Sequence, residues 1–166
     1  MADAVTPVTG LVGGALAGLI AALAMDVQMS RQPAGWTPAF IAVGVLTRTD
    51  PDDVSFERAS VLHHGTGVVA GGLYGALTLA LTVAVPHLLW PNVPLIAHRL
   101  AGVVVALFIY LFFAHVVLPR VGGTVYEERA TAVRGQWLRS SLVFAVTMMI
   151  AGIPSIMLVV TVLDAI

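Results

Sequence analysis

Residues 8–25 read VTGLVGGALAGLIAALAM, eighteen residues without a charge and with glycine at 10, 14 and 18. A helix of about 20 apolar residues crosses the hydrocarbon core of a bilayer. Three further stretches have the same character, at about 61–85, 95–118 and 137–163. Helices satisfy their own backbone hydrogen bonds in lipid. Membrane strands would instead alternate apolar and polar residues over about ten positions, and no such alternation is present. The spans therefore predict an all-α protein, an antiparallel four-helix transmembrane bundle forming one integral membrane domain over 1–166.

Composition agrees. The chain has 166 residues, 58% of them apolar and 10% charged, whereas soluble domains carry about 25% charged residues. That excludes a soluble globular domain. A net charge of −1 without a basic block argues against nucleic acid as a partner. With no cysteine, disulfides, thiolate metal sites and cysteine nucleophiles are excluded. Ala22-Leu23-Ala24 has the look of a signal-peptide cleavage site, but the segment before Val8 carries Asp3 and neither Lys nor Arg. That is the wrong charge for a secretory leader, so a retained helix is expected.

Arginine sets the expected orientation, because the chain has no lysine. Arg31, Arg48 and Arg58 lie between the first and second spans, and Arg120, Arg129, Arg134 and Arg139 between the third and fourth; Arg99 alone falls on the other side. The positive-inside rule puts loops 30–58 and 119–136 in the cytoplasm and both termini outside, in the cell membrane. Trp36, Trp90 and Trp137 fall where spans should meet the interface.

Thr37-Pro38 opens an apolar run of about ten residues. Pro near a helix start is favourable, and the run is too short to span, so a short cytoplasmic interfacial helix is expected over about 37–47. Asp50-Pro51-Asp52-Asp53 signals another helix start, expected to continue through Arg58 into the second span. Residues 121–135 read as a polar loop, and Pro154 predicts a kink in the fourth span.

The first two spans share a pattern: Thr9-Gly10, Gly14 and Gly18 in one, Thr66-Gly67, Gly71 and Gly75 in the other. Glycine at every fourth position draws a smooth groove along a helix and allows close backbone approach in lipid. Extending the first stripe reaches Ala22 and Asp26; extending the second backwards reaches His63. Asp26 lies eight residues past Gly18 and His63 eight before Gly71, each about 12 Å of helix. Antiparallel docking of the stripes brings the two to one depth near the cytoplasmic edge. His64 follows on an adjoining face, and His115, one turn before Pro119-Arg120, is expected at comparable depth.

Asp26, His63, His64 and His115, with Arg120 nearby, thus form a candidate metal or proton site. A carboxylate with imidazoles suits Zn, Fe or Mn, and histidine titrates near neutrality; a hydrogen-bonded latch is the alternative. His87 and His98 flank the outer turn and are expected to face water. Tyr74 near mid-bilayer needs a hydroxyl partner, for which Thr78 or a backbone carbonyl would serve. No Ser–His–Asp ordering, HExxH motif or phosphate-binding loop is present.

Ala24-Met25-Asp26 and His63-His64-Gly65-Thr66-Gly67 resemble small archaeal-type membrane proteins of unassigned function, and arginine without lysine beside the acidic 50–57 segment is similar to salt-adapted sequences. The resemblance implies about four helices and no activity. Three functions stay open: a non-enzymatic structural or accessory subunit, contacting lipid and packing as a homo-oligomer or with other membrane subunits; a proton or cation transporter or channel component using Asp26, His63 and His115; and a redox protein with histidine-ligated metal or haem. The sequence assigns no cofactor.

Overall fold

A computed structural model describes residues 6–84 and 93–166, without the side chains of 93, 94, 124 and 125. His87 and Trp90, in the stretch expected to form the outer turn, lie outside the described residues. The described residues are helical, with no strand among them. In order they form α1 (Pro7–Ser30), α2 (Thr37–Thr47), a 3-10 turn (Pro51–Asp53), α3 (Phe56–Ala84), α4 (Val93–Phe112), a π turn (Phe113–Val117), α5 (Leu118–Val121) and α6 (Gly123–Asp164). Four segments, Pro7–Ser30, Phe56–Ala84, Leu95–Val121 and Tyr126–Asp164, are long and apolar enough to cross a membrane. They close a ring in which α1 packs on α3 and α6, and α4 packs on the same two.

Thr6 starts α1. Its hydroxyl accepts from the Thr9 N–H at 3.2 Å, while the Thr9 hydroxyl accepts from the Thr6 N–H at 2.8 Å, with Pro7 following where no N–H is needed. Small residues then let α1 sit between two neighbours. A Cβ on Gly14 would run into the Gly71 carbonyl oxygen, one on Gly18 into that of Gly67, and one on Gly75 into that of Gly10. Numbers rise along α1 as they fall along α3, so these two helices run in opposite directions. Gly13 meets the backbone of Ile156 and serves the α6 side of α1 in the same way.

Both helices outrun their apolar stretches. α1 continues five residues past Met25 to Ser30, and α3 begins at Phe56 rather than Val61. The helix expected from Asp50 is only a turn, in which the Asp50 carboxylate accepts from the Asp52 N–H at 3.0 Å. Val54 then leaves helical geometry (φ −77°, ψ 127°) and buries its side chain among Ala39, Val43 and Ala59. Burial of that side chain between α2 and α3 outweighs continuation of the turn. Helix α2 has the expected limits but is capped by Trp36, with Thr37 already inside it, and it ends on Arg48 in the left-handed region (φ 56°).

Pro119 reshapes the end of the third span. It has no N–H to return to the preceding turn, and the chain widens into the π turn just before it. Two carbonyls of this turn take side-chain donors: Tyr126 donates its hydroxyl to Ala114 O at 3.3 Å, and Arg120 donates to Val116 O at 2.9 Å.

Residues 123–135, expected as a loop, belong to α6. The backbone departs from helical angles at Arg129 (φ −130°, ψ 19°), and the angles around Pro154 stay helical. Polarity in this stretch reflects an exposed helix flank rather than irregular structure: Val133 and Tyr126 are buried against Ile41 and Leu118, while Glu127, Glu128 and Arg129 are exposed. Trp137 is also buried, at 8% exposure, inside the ring of helices.

Candidate metal centre

The stripe of α1 ends in a carboxylate and that of α3 begins with two imidazoles. One Asp26 oxygen lies 2.8 Å from His64 Nε2; the other lies 3.2 Å from His63 Nε2. One ligand atom from each of the three residues falls within 4.8 Å of the others. His63 is 9% exposed at its side chain, and Asp26 and His64 are each 26% exposed, so the group sits at the edge of the bundle, open enough for an ion to reach it.

Hydrogen bonds fix the rings. His63 Nε2 lies 3.3 Å from the Ala22 carbonyl, which can only accept, so without a metal this nitrogen carries the proton and donates it there; the tautomer with the proton on Nδ1 is the one that offers Nε2 as a ligand. The Nε2 proton cannot also be aimed well at Asp26, and the Asp26 Oδ1 oxygen is left buried without a hydrogen-bond partner. His64 Nδ1 lies 3.4 Å from the Ser60 hydroxyl, one turn back on α3. A neutral His64 can therefore donate through Nε2 to Asp26 and accept from Ser60, or reverse its tautomer and donate to Ser60. The second tautomer frees Nε2 for a metal while Ser60 holds the far ring nitrogen, as a metal-bound histidine requires. Trp36 packs edge-on against His63 at 5.5 Å and against Phe56 at 4.7 Å, forming an apolar wall beside the carboxylate.

Among the described residues, His115 does not join this group. It lies exposed in the π turn, its ring edge-on to Tyr110 at 5.9 Å. The sequence places His115 by depth alone, and the π turn resets the side on which it emerges. Arg120 is likewise outside the group, folded back on its own helix. The stripes Gly10, Gly14, Gly18 and Gly67, Gly71, Gly75 lie directly above the site and set the approach of α1 to α3.

His98 does not face water. It is 5% exposed and bonded through Nδ1 to the hydroxyl of fully buried Tyr74. Thr78, expected as the tyrosine's partner, uses its hydroxyl on the Tyr74 carbonyl instead, at 2.8 Å. Gly152 makes room for the tyrosine head, since a Cβ there would strike it. Ser60 was missed as a partner of the site, although its place four residues before His64 puts it on the same helix face.

No protein-family model, curated protein or solved structure matches the chain.

Proposed function

We propose that this protein is a small non-enzymatic integral membrane protein that binds a divalent transition-metal ion of the zinc type through Asp26, His63 and His64. Its four long helices cross the cell membrane as an antiparallel bundle, with α2 lying along the cytoplasmic face. The arginines of segments 30–58 and 119–136, which join the spans, support that orientation. The outward side chains support the bilayer: Val103, Val104, Leu107, Phe108 and Leu111 of α4 are all exposed, and a continuous apolar surface of that kind needs lipid or another membrane subunit.

One observation carries the metal reading: two imidazole nitrogens and a carboxylate converge from two helices, with one buried carboxylate oxygen lacking a hydrogen bond. Three N/O ligands leave a coordination position open on a tetrahedral ion. Bound between α1 and α3, the ion would tie the two helices at the cytoplasmic edge and stand where a cation enters or leaves the bundle. The purified protein in detergent, stripped with chelator and titrated with Zn2+ by calorimetry, tests the proposal. One ion per chain is expected, and it is lost in Asp26→Asn and in the double variant His63→Asn/His64→Asn. Absence of zinc binding in a folded protein would leave the trio as a hydrogen-bonded latch and the protein as a structural subunit.

A further inference from the structure

Just inside the bundle from His63, the four long helices leave a cavity lined by Met25, His63, Thr66, Trp137, Ser141 and Phe144. Its walls are mostly hydrocarbon, yet two polar atoms on them have no partner. Trp137 Nε1 and the Ser141 hydroxyl are both buried and unbonded, on residues only 8% and 4% exposed. They stand one turn apart on α6, on the side facing the cavity. Nearly all buried polar groups in native proteins have a hydrogen-bond partner, and neither of these finds one among the described residues.

The chemistry of the two groups defines the guest. An indole N–H only donates, so the guest must accept; a hydroxyl does either. An apolar guest would leave both unsatisfied. Among the lining residues His63 alone is ionisable, and its Nε2–H already has the Ala22 carbonyl as partner, so a charged guest is poorly served. The cavity has room for a water molecule and offers it the two or more polar contacts that a buried water needs. We propose that this cavity is a hydration site, holding ordered water that accepts from Trp137 Nε1–H and bonds to Ser141. The group formed by Asp26, His63 and His64 is then bordered by water on its inner side. This inference does not depend on metal binding.

Protein labelled with 15N-tryptophan in lipid nanodiscs provides the test, with the Trp137 indole signal assigned by its absence in Trp137→Phe. Magnetisation transfer from water to the Trp137 indole proton is expected. It should disappear in Ser141→Val, whose added methyl groups fill the space, and weaken in Ser141→Ala, which removes one polar partner without adding bulk. The Trp36 indole signal reports in each variant that the fold is kept. A Trp137 proton that exchanges nothing with water, or that shows transfer from lipid methylene protons instead, overturns the site. So does a water signal unchanged in both serine variants.

Discussion

Asp26 of α1 and His64 of α3 approach to 2.8 Å across a helix pair whose spacing is set by glycine. The glycine stripes bring two backbones close enough for short side chains to meet, and the chemistry gathers where the stripes end.

Gly71→Leu should drive α1 and α3 apart, because the new side chain would enter the space held by the Gly14 carbonyl and the Gly18 backbone. Overpacking of this kind costs about 1–3 kcal/mol or more. Thermal unfolding in detergent should show a lower midpoint, and zinc affinity should fall with it, although Gly71 touches no ligand. An unchanged midpoint would mean that the pair tolerates separation.

Asp26→Asn and His64→Asn each remove one candidate ligand. Loss of a group that merely orients a ligand typically costs 10–100-fold in metal affinity, so removal of the ligand itself should cost at least about 100-fold by calorimetry. Ser60→Ala, which only frees the far nitrogen of His64, should cost about 10-fold on the same scale. Equal losses in Ser60→Ala and Asp26→Asn would argue that the effect is structural.

Protons compete with the metal. Imidazole binds a metal only in its neutral form. Zinc affinity should therefore fall as the pH is lowered from 7.5 to 5.5, because protons compete for the ligand nitrogens. A flat profile over that interval would exclude the histidines as ligands.

Cysteines introduced at Asp52 and Thr124 should resist an impermeant thiol reagent in intact cells, and one at Asn92 should react. The native chain has no cysteine to interfere. The reverse pattern would move the Asp26 group to the outer face.

Tyr74→Phe removes the hydroxyl bonded to His98, leaving a polar nitrogen buried without that partner. Such a group costs about 1–3 kcal/mol. A lower melting midpoint is expected with zinc affinity unchanged, because Tyr74 lies eleven residues, or about 16 Å of helix, beyond His63.

The spans were legible because hydrophobicity over about 20 residues is a long signal, and the depth of Asp26 against His63 because four-residue glycine spacing fixes register. Other features depend on contacts that one helix cannot announce. α6 extends back to Gly123 because Tyr126 and Val133 find Ile41 and Leu118. His115 leaves the site because Pro119 widens the turn before it. His98 looked like a surface residue until Tyr74, twenty-four positions away, reached it. His64 seemed to occupy a side face, yet its long ring carries Nε2 to the second oxygen of Asp26.

X-ray absorption at the zinc K-edge on the chelator-stripped, zinc-reloaded protein tests the central claim most directly. The expected spectrum shows nitrogen and oxygen neighbours at about 2.0–2.2 Å, with the outer-shell scattering of two imidazole rings, reduced to one ring in His64→Asn. Zinc that washes away on dialysis, or that remains without imidazole scattering, would contradict the account.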